Sequence, residues 1–143
     1  MTVKQVLYTA HGHATGGRTG NGATDDNRLS VTLSTPKELG GDGGAGTNPE
    51  QLFSIGYSAC FIGAMKFVAA QENVNLPETT KVSADIGIGP RVDEGGFGIT
   101  ASLTIHAPGV AKDVLEALVQ KAHIVCPYSH AIHKNVDVKL TVI

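Results

Sequence analysis

Residues 47–72 read TNPEQLFSIGYSACFIGAMKFVAAQE, and the conformation of this stretch decides what the rest of the chain can be. It opens with a helix-start signature. Thr47 stands at a cap position, Glu50 three residues later can close a capping box, and Pro49 falls in the first turn, where its missing N–H costs little. The long apolar helix that follows should run to about Glu72. Residues 52–70 are long and apolar enough to suggest a membrane span, but Ser54, Tyr57, Ser58, Lys66 and two glycines argue against one. A helix apolar almost all round is expected to be buried on nearly every side. A chain of 143 residues can hardly surround such a helix alone, so a homodimer is the expected assembly.

Outward from this helix the chain alternates between strand and helix patterns. Residues 3–10 and 28–35 read as strands, the second with Leu29, Val31 and Leu33 alternating with polar neighbours. Between them HATGGRTGNGATDDN, residues 13–27, reads as a long hairpin tip. The glycine-rich LGGDGGAGTNPE that precedes the helix lacks the Gly-Lys-Ser/Thr ending of a phosphate cradle. Downstream, residues 81–89 and 97–107 alternate at the strand period around a turn at Asp93–Gly96, which makes a second hairpin. From Val110 a second helix places Val114, Leu115, Leu118, Val119 and Ala122 on one face. Residues 129–135 suggest a short helical turn, and Val136, Val138, Leu140 and Val142 alternate in a final strand. The order predicts an α+β fold with mainly antiparallel sheet in a single domain, residues 1–143.

Composition narrows the function classes. A net charge of −2 with scattered Lys and Arg provides no basic stripe for nucleic acid. The first residues, MTVKQVLYTAHG, contain no apolar stretch resembling a signal peptide, so a cytoplasmic location is expected, without membrane association. There a permanent bridge between Cys60 and Cys126, the two cysteines of the chain, is improbable; if they meet, a transient, catalytic or sensing disulfide is the better expectation.

The residues around Cys126 allow three readings. His123, Cys126, His130 and His133 run as H-x2-C-x3-H-x2-H, which resembles a zinc ligand set. Pro127 breaks the helical face those ligands would share, and no second Cys-x-x-Cys supports the site, so no metal is expected. Taken singly, the histidines read as solvated groups at a helix C-terminus. A redox role needs a cation near the reactive sulfur, because a free thiol is mostly protonated at neutral pH. Without one, a cysteine such as Cys60 in an apolar helix is inert packing.

Arg18 in the first glycine-rich loop, TNPEQLFSIGYSACF with Glu50 and Cys60, and VCPYSHAI with Cys126 together resemble the OsmC/Ohr family. The likeness runs from the first strand to the last, and VCPYS favours the organic hydroperoxide resistance branch over the OsmC branch. The resemblance implies an intertwined homodimer, antiparallel sheets wrapped around long central helices, and reduction of organic hydroperoxides. It makes Cys60 the peroxidatic thiol and Cys126 the resolving thiol; Arg18 would stabilise the Cys60 thiolate and Glu50 would hold Arg18. The implied reductant is dihydrolipoamide or a lipoylated protein, with no bound cofactor. An OsmC-type peroxidase, or a redox-sensing dimer that does not turn over, would use the same residues.

Two further expectations attach to this reading. Glu50 and Cys60 lie ten residues apart on one helix, about 15 Å along its axis, so Glu50 of one chain is expected to serve Cys60 of the other in a composite site. Cys126 is expected at a helix end, where local opening is easiest.

Overall fold

In the computed structural model, which describes residues 3–143, helix α1 runs from Pro49 to Glu72, the span the cap signature implies. The backbone divides into two units, Met1–Pro49 and Glu50–Ile143.

The first unit is a small antiparallel meander. Strands β1 (Gly12–Thr15), β2 (Asn21–Thr24) and β3 (Ser30–Thr32) pair in the order β1-β2-β3, with Ala14 opposite Gly22 and Gly22 opposite Val31. Two expectations are corrected here. Residues 13–27 are more than a loop tip, since they supply most of β1 and all of β2. These strands are built from Gly, Ala, Thr, His and Asn, so they lack the hydrophobic alternation that reveals a strand. Conversely, residues 3–10 carry strand-forming types such as Val3, Val6, Leu7 and Tyr8 but lie outside any strand, with Leu7 and Tyr8 exposed. A strand exists only where another backbone satisfies its N–H and C=O groups, and residue type alone cannot supply that neighbour.

Glycine chemistry shapes both loops of this unit. Gly16 and Gly17 take successive positive φ angles of 71° and 59° entering the 3-10 turn Gly17–Thr19. At Gly20 an added Cβ would fall 1.8 Å from the Thr15 carbonyl oxygen, so no side chain fits there. The second loop returns to β3: the Thr47 N–H donates to the Thr32 carbonyl and the Ser34 N–H to that of Thr47. That pairing delivers the chain to the start of α1.

The second unit carries the core. Strands β4 (Lys81–Pro90) and β5 (Phe97–His106) form the expected hairpin, closed at Arg91 and Gly96. Strand β6 (Val138–Val142) joins β5, so the sheet order is β4-β5-β6. This last pairing is parallel, with Leu103 opposite Leu140. A parallel neighbour requires a long crossover, here through α2 (Lys112–Val125) and α3 (Pro127–Ile132). Val82, Ala84, Ala101, Leu103 and Ile105 turn one sheet face inward against Tyr57, Phe61, Met65 and Val68 of α1 and Leu115, Leu118 and Val119 of α2. Val114, expected on the same face of α2, is exposed instead. The Ser54 hydroxyl fastens α1 to the sheet by donating to the Ala84 carbonyl at 2.7 Å.

Within one chain α1 is buried on one side only, as expected of a chain too small to surround it alone. It is long and apolar enough to cross a membrane by length and composition, yet Ile55 and Phe67 face outward while Tyr57, Phe61 and Met65 are fully enclosed. Leu103, at the centre of the sheet, has no exposed surface. Leu103→Ala should lower unfolding free energy by about 2–5 kcal/mol through lost burial and the residual cavity, read as a shifted denaturant midpoint at unchanged slope.

Candidate active site: two thiols at a helix junction

Cys60 lies on α1, one turn beyond Tyr57 and next to buried Phe61. Cys126 is the single residue between α2 and α3. Its extended backbone, φ −67° and ψ 123°, is what a following proline imposes, and Pro127 then opens α3 in a first-turn position that needs no N–H donor. The Cys126 N–H donates to the Ala122 carbonyl, while its own carbonyl accepts from the His130 N–H, both at 2.9 Å. The sulfur is thus held from both sides in the chain. It lies at the end of α2, as expected, and is wholly buried.

The fold brings the two sulfurs to 3.7 Å, with the Cys126 thiol directed at Cys60 Sγ. Both are free thiols. A disulfide is about 2.05 Å long, so a modest side-chain rotation separates contact from bond. Burial raises the Cys60 pKa above that of a free thiol; Cys126 pushes it the same way, and a hydrogen bond from the Tyr128 backbone N–H opposes both. The groups of this unit therefore leave Cys60 harder to ionise than an exposed cysteine. A nucleophilic role for it requires a positive charge from elsewhere.

Arg18, half-buried, sits within the 3-10 turn between β1 and β2, where its carbonyl accepts from the Thr35 hydroxyl. Glu50 lies in the first turn of α1 and is likewise half-buried. Because α1 is continuous, Glu50 and Cys60 remain about 15 Å apart along its axis. Within this unit the fold unites the two cysteines and holds Glu50 away from them.

Aromatic residues stand close to both cysteines in the sequence, Tyr57 three before Cys60 and Tyr128 two after Cys126. Phe53, Tyr57 and Tyr128 form a mutually packed cluster, with ring centroids 5.6–5.9 Å apart. Tyr128 lies directly over Gly56, where a Cβ would stand 3.0 Å from its hydroxyl oxygen.

His123 needs correction most. Rather than a solvated cap, it is half-buried, and its Nδ1 lies 2.9 Å from the Ser129 hydroxyl. Burial chiefly, and then His133, lower its pKa, favouring the neutral ring. Ser129 also contacts the Tyr57 hydroxyl at 2.8 Å. Burial raises the Tyr57 pKa, so its phenol stays protonated. Sequence reasoning missed Tyr57, Tyr128 and Ser129; the available signal was spacing, since Tyr57 precedes Cys60 by three residues and Ser129 follows Cys126 by three. Among the described residues no group of three His, Cys, Asp or Glu is placed to hold a metal.

A family model described as OsmC-like protein matches residues 40–141. An organic hydroperoxide resistance protein of Xanthomonas axonopodis pv. citri is 56% identical over 138 residues, covering 96% of each chain. The crystal structure of an organic hydroperoxide resistance protein from Legionella pneumophila superposes with a TM-score of 0.90 at 45% identity, covering 96% of this chain and 98% of that one. That of OhrB from Bacillus subtilis gives 0.89 at 37% identity, covering 96% and 100%. With its α+β architecture, its sequence and its close structural likeness in agreement, the chain belongs to the OsmC/Ohr family, among the organic hydroperoxide resistance proteins.

Proposed function

We propose that the protein is a thiol peroxidase that reduces organic hydroperoxides to alcohols in the cytoplasm. The observation that carries this reading is the 3.7 Å approach of two free thiols from helices far apart in sequence. The Cys60 thiolate attacks the outer oxygen of R–O–O–H; the O–O bond breaks, Cys60 becomes a sulfenic acid, and the alkoxide takes a proton to leave as R–OH. Cys126 then attacks the sulfenic sulfur, forming the Cys60–Cys126 disulfide and releasing water before a second peroxide can produce the sulfinic acid. A dihydrolipoyl group, free or on a lipoylated protein, returns both thiols by exchange. Arg18 supplies the positive charge that Cys60 lacks and stabilises the departing alkoxide, while Glu50 orients Arg18. The apolar cluster of Phe53, Tyr57 and Tyr128 suits an organic rather than an inorganic peroxide.

The working unit in this proposal is a homodimer that covers the outward face of α1, where Ile55 and Phe67 lie exposed. Light scattering should then return twice the chain mass of 14.8 kDa.

The deciding experiment is intact-mass analysis after one equivalent of an alkyl hydroperoxide, followed by peptide mapping. Loss of two hydrogens, with a linked peptide joining Cys60 to Cys126, is the expected result. Sulfinic acid at Cys60 alone would remove Cys126 as resolver. Oxidation that dihydrolipoamide cannot reverse into repeated turnover would favour a sensing dimer over an enzyme.

A further inference from the structure

We propose that Ser129, bridging Tyr57 and His123, is a positioning residue that holds Cys126 for disulfide closure on Cys60. This inference rests on the two-thiol reading above.

Its basis is a hydrogen-bonded chain that joins three helices through one buried hydroxyl. Ser129 on α3 lies 2.8 Å from Tyr57 Oη on α1 and 2.9 Å from His123 Nδ1 on α2. Ser129 is 3% exposed and Tyr57 is fully enclosed, so water is a poor substitute for either partner. The spacing then becomes informative. His123, Cys126 and Ser129 follow one another at three-residue intervals, and Tyr57 stands three residues before Cys60. Each sulfur is therefore one helical turn or less from a member of the brace. The Ser129 contacts to His123 and Tyr57 secure the two sides of the junction that carries Cys126.

The donor pattern is consistent along the chain. A neutral imidazole, favoured by the burial of His123, presents Nδ1 as an acceptor for the Ser129 O–H, which frees Ser129 Oγ to accept from the Tyr57 O–H. Each of the two contacts then has one donor and one acceptor.

The chemical demand on this junction is specific. In closure the Cys126 S–H loses its proton, its sulfur bonds to the Cys60 sulfenic sulfur, the S–O bond breaks, and the departing hydroxide leaves with that proton as water. The step competes with a second peroxide for the same sulfenic acid, so its rate depends on how well Cys126 is held. A residue that merely supported the fold would alter stability and leave that competition unchanged.

The test uses the full-length protein in rapid-quench reactions with an alkyl hydroperoxide, trapping sulfenic acid with dimedone and counting disulfide and sulfinic acid at Cys60 by mass. Wild type is measured first. Failure to form the Cys60–Cys126 disulfide would overturn the two-thiol reading itself. Given that disulfide, Tyr57→Phe should slow closure about tenfold, the loss of one buried hydrogen bond expressed as a rate, and Ser129→Ala, which removes two, at least as much, each raising the sulfinic fraction accordingly. The double variant should close no more slowly than Ser129→Ala, because both substitutions break the same bridge. Wild-type closure in both single variants, or a double variant slowed by the product of the two effects, would overturn the brace. Tyr57→Phe retains the ring and its packing, so it carries the test if Ser129→Ala fails to fold.

Discussion

Cys60→Ser is expected to remove organic hydroperoxide turnover, with a fall of at least about a thousandfold in kcat/KM, because a serine hydroxyl has no accessible anion at neutral pH. The measurement is steady-state consumption of cumene hydroperoxide with dihydrolipoamide as reductant. The swap is nearly isosteric in a partly buried position, so the fold should persist and circular dichroism should match wild type. Cys126→Ser should behave differently. It should still consume one equivalent of peroxide per chain to form the Cys60 sulfenic acid and a second as that acid passes to sulfinic acid, then stall, since the condensing thiol is gone. Full turnover by Cys60→Ser would end the peroxidase proposal.

Arg18→Ala should lower kcat/KM by about a hundred- to a thousandfold, the usual effect of removing one group that stabilises developing negative charge. The expectation follows from the environment of Cys60. Burial and the neighbouring Cys126 thiol both push its pKa up, and the Tyr128 N–H alone opposes them within that unit. Without the guanidinium, half-maximal alkylation of Cys60 should move to higher pH; an unchanged profile would remove Arg18 from thiolate activation. Arg18→Lys keeps the charge but loses the planar fork, so partial recovery is expected. The composite arrangement has its own signature. Glu50→Ala chains mixed with Cys60→Ser chains should regain activity, because each mixed dimer holds one intact site; no regain would place Glu50 and Cys60 of a working site on one chain.

How much of this was legible beforehand depended on whether the signal was local. The bounds of α1 followed from Pro49 and a capping pattern, and the β4–β5 hairpin from period-two alternation around a turn. Strands β1 and β2 escaped because small and polar residues do not alternate in hydrophobicity. Residues 3–10 misled for the opposite reason, since Val3, Val6, Leu7 and Tyr8 are strand-forming types but no strand forms there among the described residues. The parallel partner of β5 was hidden too, since alternation in β6 is the same for either direction. At the site, the pairing of Cys60 with Cys126 was implied only by family resemblance, and the fold places the two sulfurs in contact. The role of Ser129 was illegible, because its contact with Tyr57 spans 72 positions and arises only when three helices have packed.

The parallel docking of β6 bears on how the molecule comes into being. Cys126 lies in the crossover between β5 and β6, which packs into the core through Leu115, Leu118 and Val119 and is tied down again where Val138–Val142 pairs with Ala101–Ile105. During synthesis the last strand is the last to emerge, and contacts this distant in sequence form late because loop closure must come first. A nascent chain therefore has Cys60 long before it has a settled neighbour for it. Chemical competence waits on the crossover that carries Cys126, so a chain stalled before it carries an unguarded thiol.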